Sequence, residues 1–366
     1  MTLVCEAGLV LAINRLLGRK MQNCNTPTLL RTPLAIVYRL GWLLALWSSW
    51  PASAVDTFDR EAVEAFWQRA PAHQFIAGKD GVSLAYKVIP HENAIGSVVI
   101  FSGRTESFVK YQEFAYEMAL AGYAVYQHDH RGQGLSSRML ADGRKGHVSE
   151  FDDYVTDADT FMRSAAVADA PRPLYLFAHS MGGAIAIRYL ATHDNPFAAV
   201  VLGSPMLAPN TGIAGTCQLA RAISYVCSTC AATGHTPTPF AKNRLTHSQT
   251  RFSWKNQVYG AFPGSALGAP TFGWVAQACE VREQLQMDAE NIRGPLLLLQ
   301  AGDDRVVLND PQDAFCAREN AKGKPVCDGG APVVIDGARH ELLFESDEYR
   351  APVLEIIRGY YASHRP

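Results

Sequence analysis

The stretch Leu174-Tyr-Leu-Phe-Ala-His-Ser-Met-Gly-Gly-Ala-Ile-Ala-Ile-Arg-Tyr-Leu190 decides how this chain is read. An apolar run stops at Ala178-His179-Ser180-Met181-Gly182, and an Ala/Ile/Leu pattern with helical spacing begins at once. A strand, a very tight turn and a helix look like this in sequence. Ser180 sits between residues small enough to permit the strained backbone of a nucleophile elbow. Such a bend lifts the hydroxyl clear of the sheet edge and sets it at a helix N-terminus, where free N–H groups favour developing negative charge. Ala178 stands where glycine is commoner, but the demand there is small size, which alanine meets. A serine between small residues is, by itself, more often a plain turn. The flanking pattern and the residues downstream give the serine its weight.

Upstream, Ser83-Leu-Ala-Tyr-Lys-Val-Ile89 alternates as an early strand, and Gly96-Ser-Val-Val-Ile-Phe101 reads as a buried one. Residues 107–121 place Phe108, Tyr111, Phe114, Ala115 and Met118 on one helical face. Tyr123-Ala-Val-Tyr-Gln127 is the next strand, closed by Asp129-His-Arg-Gly-Gln-Gly134, and a helix covers about 151–166. Beyond the elbow come strands at 198–205, 295–301 and 332–335 and a closing helix near 347–363. Short apolar runs alternating with amphipathic helices predict an α/β fold, a mainly parallel sheet covered on both faces. Regularity fails between about Pro205 and Arg293. That insertion leaves a strand's C-terminal end, so it is expected to roof the functional face as a lid.

The chain has 366 residues, 48% hydrophobic and 19% charged, with a formal net charge of −2. This suits a globular domain with ample core and gives no sign of disorder, coiled coil or nucleic-acid binding. The N-terminus differs in kind. Arg31 and Arg39 precede the apolar Leu40-Gly-Trp-Leu-Leu-Ala-Leu-Trp47, and Pro51-Ala-Ser-Ala54 follows. A basic stretch, a short apolar core and an Ala-x-Ala site predict a secretory signal over residues 1–54, cleaved after Ala54. Left uncleaved, the same segment would anchor the chain in a membrane. Met21 is an alternative start, since residues 1–20 add nothing to the signal. Six of the eight cysteines lie beyond that site, an even number that fits disulfides in an exported chain. Cys316 and Cys327 close a short polar loop and form the expected pair. Cys217, Cys227, Cys230 and Cys279 leave three connectivities open. Cys227-Ser-Thr-Cys230 has the spacing of half a zinc site, but no second ligand pair accompanies it, and no metal is expected.

A serine hydroxyl is a poor nucleophile at neutral pH and needs an imidazole base oriented by a carboxylate. In a sheet of this kind the partners follow in the order Ser, acid, His, each at a later strand end. The strand at 295–301 runs into Gly302-Asp-Asp-Arg-Val-Val307, and that at 332–335 into Asp336-Gly-Ala-Arg-His-Glu341. Asp304, deeper in its loop, is preferred over Asp303, and His340 completes a candidate triad with Ser180. Two backbone N–H groups must meet the developing oxyanion. Met181, after the nucleophile, supplies one, and Arg104, after the flexible Gly103, the other. His128, His130 and His179 are read as packing residues, His147 as a peripheral one, and Asp129 with Arg131 as an ion pair bracing its turn.

Together, Phe101-Ser-Gly-Arg-Thr-Glu-Ser-Phe-Val-Lys-Tyr111, Asp129-His-Arg-Gly-Gln-Gly134, Gly146-His-Val148 and Ala178-His-Ser-Met-Gly-Gly183 resemble the monoacylglycerol lipase-like serine hydrolases of the α/β-hydrolase fold, and within them the lysophospholipases. Leu245-Thr-His-Ser248, Pro270-Thr-Phe-Gly-Trp274 and Gly337-Ala-Arg-His-Glu-Leu-Leu-Phe-Glu345 extend the likeness over about residues 80–365. The resemblance implies a Ser180, Asp304, His340 triad, acyl-enzyme chemistry on Ser180, and no metal or organic cofactor.

The insertion carries a substrate argument of its own. Between Pro205 and Cys279 there is no Asp or Glu, while Arg221, Lys242, Arg244, Arg251 and Lys255 are all present. A basic roof interleaved with Leu219, Ile223, Trp254, Phe262, Phe272 and Trp274 suits a single-chain amphiphile bearing a phosphate, or docking on an anionic bilayer. Arg221, Arg244, Arg251, Trp254 and Trp274 are therefore the expected substrate contacts. Three activities compete: a lysophospholipase or related carboxylester lipase, such as a monoacylglycerol lipase; a prolyl-aminopeptidase-like peptidase; and a non-catalytic lipid-binding protein. The peptidase needs an acidic subsite for the substrate amine, and the lid offers no carboxylate for it.

Overall fold

Eight strands pair into one sheet in the computed structural model, which describes residues 56–212, 214–232 and 238–366. The segment expected to be a signal, residues 1–54, lies outside the described residues. The strands are β1 Gln74–Ala77, β2 Ser83–Ile89, β3 Ser97–Phe101, β4 Ala124–His128, β5 Leu174–His179, β6 Phe197–Gly203, β7 Leu296–Ala301 and β8 Val333–Ile335. They lie in the order β1-β2-β4-β3-β5-β6-β7-β8. β1 and β2 run antiparallel to their neighbours, and from β4 onward every pairing is parallel.

The helices are α1 Arg60–Arg69, α2 Gln112–Leu120, α3 Asp152–Arg163, the short α4 Ala165–Ala168, α5 Met181–Thr192, α6 Thr216–Cys227, α7 Gln249–Ala261, α8 Phe272–Asp288, α9 Asp310–Cys316 and α10 Asp347–Ser363. A 3₁₀ turn at Phe108–Tyr111 leads into α2. Pleating sends alternate residues to opposite faces. In β3, Val98 and Ile100 pack with Phe114, Met118 and Ile357, while Val99 and Phe101 pack with Phe161 and Ile185. Both faces are covered, which is why the central strands read as unbroken apolar runs. Each such side chain contributes roughly 1.5–3 kcal/mol on burial.

Helix α5 starts directly at the elbow and lies hard against the end of β3. A Cβ on Gly182 would stand 2.2 Å from the Phe101 carbonyl oxygen and 2.6 Å from that of Ser102. Any larger residue would push the helix, and Ser180 with it, away from the sheet.

Three expectations change. The expected Asp129–Arg131 pair does not form. The Arg131 guanidinium meets Asp157 at 2.6 Å and Asp153 at 3.3 Å, because α3 passes beneath the turn. Asp129 instead accepts from the Ser107 hydroxyl and from the amides of Phe108 and Leu135, all at 2.7 Å. α1 and β1, missing from the sequence reading, cover the sheet's first edge. β1 is almost wholly exposed, and α1 buries only Val63 and Trp67, so neither carries a strong pattern. Finally, the insertion expected to be irregular holds α6, α7 and α8. Buried residues lie all round α8, and α7 buries the charged Arg251 among its apolar ones, which hides their period from sequence.

Disulfides link Cys316 to Cys327, as expected, and settle the open four as Cys217–Cys279 and Cys227–Cys230. The Cys217–Cys279 bond ties α6 to α8, so these two helices form one cross-linked part of the insertion. α7 belongs elsewhere: Trp254 and Val258 join the core formed by α2 and α10.

Candidate active site

Ser180 stands at the turn between β5 and α5 with φ 52° and ψ −117°, a conformation that costs a non-glycine residue of the order of 1–3 kcal/mol. The turn is held by its own carbonyl, which accepts from the amides of Gly183, Ala184 and Met206. His340, in the loop after β8, brings Nε2 to 2.9 Å from Ser180 Oγ. Its Nδ1 lies 2.7 Å from Asp304 Oδ2, in the loop after β7. The other Asp304 oxygen accepts the amides of Val306 and Val307 at 2.8 and 3.0 Å. Burial alone would raise the Asp304 pKa, but the bond and charge of His340, with those amides, hold it below the usual carboxylate range. Asp303, the fallback, turns outward to Arg305 at 3.0 Å. The structure thus brings Ser180, His340 and Asp304 together in one hydrogen-bonded row.

Several supports were not legible in sequence. Glu345, fully buried, accepts the Arg339 and His247 amides, both at 2.7 Å, the Ser346 amide at 3.0 Å and the Thr246 hydroxyl at 3.3 Å, and lies 2.9 Å from His247 Nδ1. It clamps the loop that carries His340. Glu106 accepts the Gly103 amide at 2.6 Å and the Tyr111 hydroxyl at 2.5 Å, and pairs with Lys110. Burial opposes its ionisation, yet Lys110 and the hydrogen bonds bring its pKa down to about 2. Lys110 also meets Glu341 at 2.9 Å. This buried cluster fixes the backbone next to Arg104. Glu106 and Lys110 stand four residues apart, a spacing common on exposed helices, and nothing in sequence marks the pair as buried.

Above Ser180 lies a cavity of about 220 Å³ whose walls include Arg104, Met206, Leu245, Trp274, Val307 and Glu341. Among the described residues, neither the Arg104 nor the Met181 amide donates to a protein acceptor, and Met181 is the first residue of α5. Trp274 lines the cavity, whereas Arg244 is exposed and does not line it, although the next residue, Leu245, does. The other expected contacts lie elsewhere. Arg251 is buried against Glu113 at 2.8 Å and Asp347 at 2.7 Å, which raise its pKa despite the opposing effect of burial. Trp254 packs edge-on against Phe58. Both belong to α7, whose inward face joins the core rather than the cavity. Arg221, on α6, lines a separate hollow with Glu150, Glu280 and Glu283. The basic roof read from sequence is therefore partly neutralised, Arg251 by Glu113 and Asp347 from outside the insertion, while Arg221 faces Glu150 and the insertion's own Glu280 and Glu283. His147 binds Thr271 Oγ1 at 2.9 Å, also away from the cavity.

A mainly parallel sheet with a strained serine at a strand–helix turn, followed in chain order by an acid and a histidine at later strand ends, is the architecture of the α/β-hydrolases. Comparison with known proteins narrows this. Residues 92–347 match the Hydrolase_4 family, described as serine aminopeptidase, S33, and the chain belongs to that family. It is 36% identical over 321 residues to lysophospholipase L2 of Escherichia coli strain K12, covering 85% of this chain and 93% of that protein. It is 27% identical over 262 residues to human monoglyceride lipase, covering 71% of this chain and 80% of the relative. Among solved structures, a soluble variant of Saccharomyces cerevisiae monoglyceride lipase superposes with a TM-score of 0.64. That match has 18% identity over 81% of this chain and 96% of the other, a likeness of fold.

Proposed function

We propose that this protein is a lysophospholipase that releases a fatty acid from single-chain phospholipids through an acyl-enzyme on Ser180. The observation that carries the reading is the Asp304–His340–Ser180 row opening onto a mostly apolar cavity. His340 takes the Ser180 proton as the hydroxyl attacks the ester carbonyl, and Asp304 holds the imidazole in the required tautomer. The amides of Met181 and Arg104 receive the oxyanion. The glycerol-bearing alcohol leaves with the proton from His340, and water, deprotonated by the same imidazole, then releases the acid. Acyl transfer of this kind needs neither metal nor organic cofactor.

The family's description is of a peptidase, but an aminopeptidase must offer a free carboxylate to the substrate's amine. The carboxylates at this cavity, Glu106 and Glu341, are both committed to Lys110. The lipid reading is further supported by the names of the curated relatives, lysophospholipases and monoglyceride lipases.

The enzyme works at a lipid surface and is exported with its signal removed after Ala54. Leu219, Tyr225 and Val226 on α6 are 59, 91 and 89% exposed, beside the basic Arg221. Exposed apolar side chains flanked by a cation suit the headgroup boundary of an anionic bilayer. Three disulfides fit an oxidising compartment. Among the described residues, no helix is long and apolar enough to cross a membrane.

A fluorophosphonate probe should label the wild type and leave Ser180→Ala unlabelled. A panel of lysophosphatidylethanolamine, monoacylglycerol and an aminoacyl-naphthylamide should show the first turned over best and the last not at all. Preference for the amide substrate would overturn the reading.

A further inference from the structure

The buried Arg251, Arg131 and Arg350 and the half-buried Arg188 meet carboxylates, Glu113, Asp157, Glu117 and Asp288 in turn. Arg104 does not. Among the described residues, no carboxylate oxygen comes within 4.0 Å of its guanidinium. Its Nη2 donates to the Gly268 carbonyl at 2.9 Å, and Cζ stacks 4.7 Å from the centre of the Trp274 ring. Nε is buried with no hydrogen-bond partner. Burial, slightly offset by Tyr154, pushes the pKa down to about 10, so the group still carries its charge at neutral pH. A desolvated cation without a counter-charge is expensive unless an anion arrives to meet it.

That cation lines the same cavity as Ser180 and His340. We propose that the Arg104 side chain binds the phosphate of the substrate's head group and so selects phospholipid over neutral glycerolipid. The proposal rests on Ser180 being the ester-attacking nucleophile. The chemistry fits in two ways. A phosphodiester is anionic at any physiological pH, and its oxygens match the planar guanidinium fork, which a neutral glycerol cannot do. The distances also agree. In a 1-acyl lysophospholipid the glycerol carbons separate the ester from phosphorus by about 6 Å at ordinary bond lengths, close to the reach of one arginine side chain. One residue could therefore hold the scissile carbonyl with its amide and the phosphate with its guanidinium. Trp274 keeps the side chain extended, and Gly268, in the loop before α8, gives it a neutral partner to exchange for the phosphate.

The test compares kcat/KM for 1-acyl lysophosphatidylethanolamine and for monoacylglycerol of the same chain length. Wild type, Arg104→Gln and Arg104→Lys are measured. Arg104→Gln keeps a donor for Gly268 and removes the charge. It should lower the ratio of the two values by roughly 10- to 100-fold, mainly through KM for the phospholipid. Arg104→Lys should restore part of that ratio. An equal loss on both substrates would mean that the arginine only fastens the insertion to the backbone below, and the proposal fails.

A second measurement needs no variant. In the wild type, sn-glycero-3-phosphocholine should inhibit monoacylglycerol hydrolysis at least tenfold more strongly than glycerol. Equal inhibition overturns the proposal. Inorganic phosphate as potent as the glycerophosphodiester also overturns it, since the site would then read a free ion. A wild type inert on both esters sinks the hydrolase reading itself, an outcome distinct from loss of selectivity in an active enzyme.

Discussion

Ser180, Asp304 and His340 form a unit whose members are expected to fail together. Ser180→Ala should abolish ester hydrolysis, and Asp304→Asn should lower kcat by roughly 10³- to 10⁴-fold by allowing the wrong imidazole tautomer, as steady-state assays would show. Asp304 has this effect because its second oxygen is already taken by the Val306 and Val307 amides, so the carboxylate cannot swing away. Arg251 makes the contrasting case. Read from sequence it faces the substrate, yet in the structure it is enclosed by Glu113 and Asp347. Arg251→Met should therefore leave KM for the lipid little changed and lower unfolding stability by about 3–5 kcal/mol, because two carboxylates lose their buried partner. Chemical denaturation alongside kinetics checks both halves. A cation in an acid-free stretch looks available to a ligand, and only distant residues brought close by folding reveal that it is spoken for.

At the scale of elements, α6 and α8 form a cross-linked pair and α7 is a buttress. The disulfide between Cys217 and Cys279 closes a loop of 62 residues, and chain-entropy arguments give such a closure about 4 kcal/mol. The paired variant Cys217→Ser/Cys279→Ser should lose up to that amount, measured by denaturant unfolding under oxidising conditions. The shorter Cys316–Cys327 loop should matter less, about 3 kcal/mol. The lipid contact proposed for the outer face of α6 makes a separate prediction. Leu219→Asp with Val226→Asp removes exposed apolar surface without opening the core, so stability should hold while sedimentation with phosphatidylglycerol vesicles falls several-fold. Binding that survives both changes would place the lipid contact elsewhere. Strands β2 to β8, the elbow and the helices after β3, β4 and β5 were legible because each has one simple burial environment and a clean period. α7 and α8 were not, since α8 buries several faces and α7 buries a charge among its apolar residues.

Across the whole molecule, three buried histidines lower stability in acid, and Asp129, whose carboxyl pKa is pushed up to about 7 by burial, offsets only one of them. His128, His130 and His179 are all enclosed, and burial pushes the pKa of His130 and of His179 down to about 4 and that of His128 well below its ordinary value. These groups stay neutral in the folded state, while the unfolded chain protonates them near pH 6.5. Stability is therefore fully present above that pH and falls as the pH drops from about 6.5 toward 4, by up to about 1.4 kcal/mol per pH unit for each imidazole. Thermal melts across this range should show the decline, and His130→Gln, if it folds, should flatten it.

Local chain chemistry was enough to specify the parallel sheet, the strained serine, the order of acid and base, and the Cys316–Cys327 loop, because backbone sterics and apolar periodicity act over a few neighbouring residues. Tertiary packing alone decided how the four remaining cysteines pair, which cations of the insertion are neutralised, and that Arg104 is left without a counter-charge. Those outcomes depend on desolvation and, outside the Cys227–Cys230 pair, on contacts between distant residues, from Cys217–Cys279 at 62 positions apart to Arg251–Glu113 at 138, which no short window of sequence contains.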